Sequence, residues 1–430
     1  MKKIKKPGLA SLISIILMLA INIRLLHGQV QLDGDFRLRV YKDTASEALD
    51  NREAENYMRY SGRLRMKIPV SNNVAFQSEM LVFMGDNPVS PVRNIAGTGS
   101  MYYGITQIFA DVVQPDFLIF DLTRLRVGRQ LFPIGNGLSM GDSYYFVNEF
   151  DGVRVDLSLG NFTLSTLGAI TGQNLSESGL YPDPGSDQIY ATRLGFPLFD
   201  HDVILYHIYD KPRGIYNDNQ ILGAGLNGKK ISGRLDYFIE AAYQEFNTLD
   251  GLPEKGGIGY MAGIGYRQPL WVFRSVKVET RYAAYQGDDA ETRRVEQFSP
   301  SYPSFFWGNR TGYVDGLIGG VYPYDGRNLE GCRLWYSRIY FIPKWQPKLR
   351  LQFDYISVSE YVDNDKYNTM DDEFSVKLYY ELNRQARFHF RYSENYPNGE
   401  DFDVNKSGTL SWSEDRIYRR RYMLEFQVKF

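Results

Sequence analysis

The sequence carries a single cysteine, Cys332, in 430 residues, so no internal disulfide framework can hold it together. The residue reads as a small buried or lipid-facing side chain. Past the N-terminal region no stretch approaches the ~20 consecutive apolar residues that a membrane-spanning helix needs, and the mean hydropathy is -0.37. No Pro-, Gly- or Ser-rich linker divides the chain, so its length does not translate into separate soluble domains. Neither sign of charge is in excess: Lys and Arg number 49, Asp and Glu 51, for a net charge of -2. That balance gives no basis for a nucleic-acid partner. Histidine is scarce as well. Beyond the N-terminal region only His201, His207 and His389 remain, none beside an evident nucleophile, which argues against an enzyme built into this fold.

What is present begins with an address. Lys2, Lys3, Lys5 and Lys6 precede the apolar run 9–23, Arg24 follows at once, and the chain turns polar after Gly28. This is the pattern of a secretory signal peptide over residues 1–28, cleaved to leave a mature chain of residues 29–430. Aromatic residues make up 15%, with 33 Tyr and 26 Phe beside 40 Gly, a composition suited to a sheet with aromatic girdles and many turns.

The C-terminal stretch shows how those residues are used. From Tyr422 to Phe430 every second residue is aromatic or aliphatic, while Glu425, Gln427 and Lys429 fill the gaps. That is a strand with one apolar and one wet face, and an aromatic residue at the very end resembles the closing strand of an outer-membrane barrel. The same alternation recurs upstream. Leu32, Gly34, Phe36, Leu38 and Val40 oppose Asp33, Asp35, Arg37 and Arg39, and Met58, Tyr60, Leu64, Met66 and Ile68 oppose Arg59, Arg63, Arg65 and Lys67.

Short and long connections alternate along the chain. Short ones are expected at 71–73, 114–116, 160–161, 197–202, 228–232, 268–273, 343–347 and 383–385. Long ones are expected at 85–100, 132–147, 173–186, 286–327, 360–371 and 395–416. Together they delimit about eighteen strands of the ~10-residue length that a tilted membrane strand needs. The fold class is therefore all-β: a transmembrane antiparallel β-barrel with short periplasmic turns and long extracellular loops, placed in the bacterial outer membrane. A barrel of that size encloses a conduit rather than a packed interior. The longest loop, 286–327, is the first candidate to fold into it.

Because the strand period is two, the wet faces point into the lumen, and they carry more cations than carboxylates. Arg39, Arg59, Arg63, Arg65, Arg124, Arg126, Arg154, Arg281 and Arg391 are the candidate pore-lining, anion-binding residues. Fixed cations in a narrow low-dielectric conduit favour anions, although pairing with wall carboxylates across strands is an alternative role for any one of them.

Several motifs, in order, resemble the alginate export porin family. They are Arg126-Val127-Gly128-Arg129-Gln130, Phe150-Asp151-Gly152-Val153-Arg154, Gly287-Asp288-Asp289 with Phe298-Ser299-Pro300-Ser301-Tyr302-Pro303, and the stretch from Gly308 to Gly316 containing Asp315. The resemblance implies a barrel of about eighteen strands with an arginine-lined pore through which an anionic polyuronate is exported. By motif it makes Arg129 and Arg154 pore arginines, whereas strict alternation from Leu125 and Val127 turns Arg129 outward unless a bulge re-aims it. The alternative function is a general or anion-preferring porin for uptake of small solutes.

A last pattern is independent of the barrel. Asp403, Asn405, Ser407, Thr409 and Glu414, with Gly408, occupy ligand and glycine positions of a twelve-residue calcium loop, the flanks being loop and strand rather than helix. No cofactor is required; a structural calcium ion in an outer loop is the one candidate. The expected partners are outer-membrane lipids, the barrel assembly machinery acting on the C-terminal strand, and an anionic polysaccharide or small anionic solute.

Overall fold

The computed structural model describes residues 30–45, 55–85, 101–141, 150–171, 188–211, 218–230, 233–246, 255–287, 298, 332–360, 371–397, 401–404, 410–413 and 419–430. The signal-peptide segment lies outside them. Among the described residues there is no helix. The first strands are β1 (Gln31–Ala45), β2 (Glu55–Pro69), β3 (Val74–Gly85), β4 (Met101–Phe117), β5 (Phe120–Gln130), β6 (Phe150–Leu159) and β7 (Phe162–Thr171). Next come β8 (Gln188–Leu198), β9 (His201–Lys211), β10 (Asn219–Lys230), β11 (Leu235–Phe246), β12 (Lys255–Leu270) and β13 (Phe273–Tyr285). The chain ends with β14 (Cys332–Pro343), β15 (Leu349–Glu360), β16 (Asp371–Glu381), β17 (Ala386–Pro397), β18 (Asp401–Val404), β19 (Leu410–Ser413) and β20 (Arg419–Lys429).

Every barrel strand pairs antiparallel with its neighbour in sequence, and β20 pairs with both β17 and β1, which closes an 18-stranded sheet. β18 and β19 form a separate two-stranded hairpin. Closure satisfies the backbone of every strand inside the sheet, the condition a strand must meet to lie in hydrocarbon. At the seam Gly34 and Phe430 exchange backbone hydrogen bonds of 3.0 and 3.1 Å, so the terminal residue completes the ladder.

Alternation puts large apolar side chains on the outer face, where Val127, Val153, Leu222, Ile239 and Val278 are all exposed. A barrel with this apolar exterior is built for a bilayer. The hairpin turns differ in two places from the sequence reading: β10 continues through the expected turn at 228–232 as far as Lys230, opposite Leu235, and the larger shift is in β4. β4 runs through the expected turn at 114–116 and reverses at Leu118 and Ile119, with Phe117 opposite Phe120. Pro115 is tolerated there because the β3–β4 ladder has ended at Val74 opposite Val112, so its missing N–H leaves no bond unmade on that side.

Candidate functional site

The site grows out of the β5–β6 hairpin. The two arginine-containing motifs pair directly: Arg126 faces Arg154, Gly128 faces Gly152, and Gln130 faces Phe150. Between them the chain leaves the wall and folds inward over residues 131–141. Phe132, Ile134, Leu138 and Met140 are buried in one apolar cluster with Leu167 of β7, Ile189 of β8, Tyr206 of β9, Ile221 of β10, Met261 of β12 and Tyr336 of β14. The expected inward segment, 286–327, lies mostly outside the described residues. Its Phe298 joins the same cluster, but the described loop that crosses the lumen is 131–141.

A buried carboxylate fixes this loop. Glu240 of β11 accepts a hydrogen bond from the backbone N–H of Asn136 at 2.5 Å and from the Tyr206 hydroxyl at 3.0 Å. Ser139 Oγ lies 3.0 Å from the same hydroxyl, and Asn136 Nδ2 donates to Asn227 Oδ1 of β10 at 3.2 Å. The tight approach requires Gly135, whose φ is +59° and whose added Cβ would stand 2.6 Å from Glu240 Oε2. A carboxylate this buried is stable only when its lone pairs are satisfied, and here the loop backbone satisfies them. The loop therefore covers part of the inward faces of β7 to β14 and leaves the rest of the wall to border the conduit.

That wall is basic between β2 and β8, and its carboxylates are shared. Glu79 lies 3.6 Å from Arg63 and 3.4 Å from Arg65, which also reaches Asp33 at 3.3 Å. Asp111 lies 3.6 Å from Arg124 and 3.5 Å from Arg126. Arg154 donates to Asp156 at 2.8 Å, and Arg193 of β8 stands in the same inner row, opposite Ser165, which in turn faces Asp156. Contacts of about 3.5 Å are longer than a well-formed charged hydrogen bond. Cations opposite each other in a ladder repel, yet Arg126 and Arg154 are held there, over the rings of Phe109 at 4.0 Å and Phe132 at 5.0 Å. Phe132 belongs to the inward loop, so the basic wall and the loop meet at Arg154.

The expected pore residues thus divide. Arg63, Arg65, Arg124, Arg126 and Arg154 sit together on the basic wall, with Arg65 and Arg124 the most open. Arg39 and Arg391 are buried braces: Arg39 meets Glu425 at 2.5 Å and Arg391 meets Glu373 at 2.8 Å, their side chains 4% and 1% exposed. Alongside them Asp354 ties Arg338 of β14 to Lys377 of β16, both at 2.7 Å. Arg281 pairs with Glu279 on its own strand. Arg59 faces Arg39 in the β1–β2 register, but its side chain lies outside the described residues.

Arg129 corrects the role implied by resemblance. It follows Leu125 and Val127 onto the outer face and makes a two-pronged pair with Asp151, both contacts 2.8 Å. Gly128 has φ +125°, but no extra residue enters the β5–β6 register, so nothing rotates Arg129 inward. Of the calcium pattern, Asp403 faces Ser411 in the β18–β19 ladder; Asn405, Ser407, Thr409 and Glu414 lie outside the described residues.

Sequence reasoning missed Arg193 and the loop anchor because beneath the loop the inward face is itself apolar. Ile189 and Ala191 point inward with Arg193 and are buried, which inverts the rule that the wet face is the inner one. The signal was the run Phe132, Ile134, Leu138 and Met140, too apolar for a loop in water.

The architecture defines a class: a closed, porin-like β-barrel of the outer membrane. No protein-family model matches the chain, and no curated protein matches it by sequence. Solved structures with the same architecture include Pseudomonas aeruginosa OccK9 (OpdG), with a TM-score of 0.57 at 12% identity, covering 93% of this chain and 98% of that one. Acinetobacter baumannii OccAB3 gives a TM-score of 0.56 at 12% identity, covering 93% and 99%. Pseudomonas aeruginosa OpdK with vanillate gives 0.54 at 12% identity, again covering 93% and 99%. One further solved structure of OpdK is described as that of an outer membrane protein. At this identity the likeness is one of fold, and it does not extend to the alginate export family in particular.

Proposed function

We propose that the chain is an anion-preferring porin for uptake of small solutes that carry carboxylate or similar groups. The observation that carries this reading is that Arg63, Arg65, Arg124, Arg126, Arg154 and Arg193 share the wall with only Asp33, Glu79, Asp111 and Asp156, Asp111 being divided between two arginines, opposite a loop folded into the lumen. Shared carboxylates leave the wall with excess positive potential, and a low-dielectric conduit focuses it on passing anions. The inward loop favours a small solute over the polymer suggested by resemblance, because it occupies lumen that a polysaccharide chain would need. OpdK, one of the structural neighbours, was crystallised with vanillate, itself a small carboxylate.

Reversal potentials across a planar bilayer under a salt gradient test the proposal. The wild-type channel is expected to prefer anions, and R63Q/R126Q/R154Q to lose most of that preference. Glutamine is the better replacement than glutamate, since a new carboxylate would stand against Glu79, Asp111 and Asp156. A cation-preferring wild type, or an unchanged preference in the triple variant, would make these arginines structural braces only.

A further inference from the structure

A second cationic site lies at the periplasmic mouth, on the side of the barrel away from the basic wall. Arg234, Arg267 and Arg274 line one cavity with Ser275 and Tyr340. No described residue lining it is a carboxylate. Asp236, two residues from Arg234 on the same face, is already engaged by Lys277 at 3.2 Å. The placement follows from local irregularity. Arg267 keeps the inward register of Met261, Gly263 and Gly265 along β12. Arg274 would point outward by strict alternation, but the β13–β14 register slips between Phe273 and Ser275. The bulged residue there is Arg274, and a bulge re-aims the side chain it carries.

We infer that this cavity binds a soluble oxyanion of two or more charges, such as a phosphate ester or a polycarboxylate, at the periplasmic exit. Planar guanidiniums match carboxylate and phosphate oxygens in a fork that a lysine cannot offer. Tyr340 adds a donor: its hydroxyl oxygen accepts from Arg267 Nη2 at 2.6 Å, which leaves its own proton to give to a ligand. Several like charges lining one cavity repel unless an anion enters, and a multivalent anion answers more of them than chloride does. The lumen-side register of Arg267, Ser275 and Tyr340 favours a soluble anion over a lipid headgroup. The site does not depend on the uptake reading, because binding at the exit and selection at the wall are separate quantities.

The test is block of ionic current by tripolyphosphate added to the periplasmic side of channels inserted in one orientation. Wild-type current is expected to fall with rising tripolyphosphate, and R267Q/R274Q to need roughly tenfold more for half block, the loss of about one charged hydrogen bond. R126Q/R154Q should keep the periplasmic block while its reversal potential shifts. Absence of periplasmic block in the wild type, or a block lost in R126Q/R154Q and kept in R267Q/R274Q, would overturn the site. Bilayers with and without phosphatidylglycerol separate the two sources of phosphate. If the block is unchanged in R267Q/R274Q but that variant alone no longer retains phosphatidylglycerol on purification, the occupant is a lipid headgroup and the soluble-anion assignment fails. Unaltered heat-modifiable migration of the variants confirms that each barrel has closed.

Discussion

At the scale of single residues the lumen is organised by Glu240, not by any arginine. Its carboxylate takes the place of a strand partner for a loop that has no sheet of its own. Replacing it with alanine leaves the buried N–H of Asn136 and the Tyr206 hydroxyl without this acceptor, at a cost of about 1–3 kcal/mol for each unsatisfied group. That is enough to loosen the tip of an 11-residue segment whose apolar side chains still favour burial, without opening the sheet beneath it. Glu240→Ala should therefore fold as a barrel but show larger or noisier single-channel conductance than the wild type. Conductance traces identical to wild type would mean that the Phe132, Ile134, Leu138 and Met140 cluster alone holds the loop.

At the scale of elements the barrel closes where the last strand meets the first. Gly34 leaves room on β1 for the Phe430 ring, and the two residues complete the last backbone bonds of the seam. Phe430→Asp places a charge at the periplasmic rim of the lipid-facing surface, where the penalty for a fully inserted barrel is small, about 0–1 kcal/mol. Assembly is expected to suffer more than stability, because the Phe430 ring packs against Gly34 at the seam that must close last. The amount of protein recovered in outer-membrane fractions should drop, while the portion that inserts migrates normally. Normal recovery of the variant would show that the terminal ring is dispensable. The turns are the other element-scale feature: Leu118, Phe199 and Trp271 hold φ of 56°, 55° and 38°, a left-handed conformation that costs non-glycine residues about 1–2 kcal/mol each. Two-residue hairpins demand that geometry, and long ladders on either side supply the restraint.

At the scale of the whole molecule stability is a property of closure. Each strand contributes a ladder on both sides, and no barrel strand has an open edge. Unfolding in detergent must break the ring cooperatively, so an unheated sample should migrate differently from a boiled one and show a circular-dichroism spectrum dominated by sheet. A strongly helical spectrum, or migration indifferent to heating, would contradict a closed barrel. The ion pairs on the inner wall serve two ends of this ring. Asp354, Arg338 and Lys377 lock β14 to β16 in a setting with little water, whereas Arg65 and Arg124 face a wetter space.

The sequence by itself determined the barrel, because alternation with period two and short turns against long connections are local properties that survive without partners. It also placed Arg63, Arg65, Arg124, Arg126 and Arg154 on the inner face, and the alternation that turned Arg129 outward outweighed the motif that suggested otherwise. What it could not supply was which inner positions meet the conduit and which are covered. That depends on residues 131–141 crossing to Glu240 on β11, a contact separated by 104 positions in the chain. Only the tertiary structure joins them, and in doing so it makes the patch of β7 to β14 beneath the loop apolar where a wet face was expected. The division of the arginines into braces and wall, and the bulge that swings Arg274 into the exit cavity, were decided at the same level. Register, unlike periodicity, is set by the neighbouring strand.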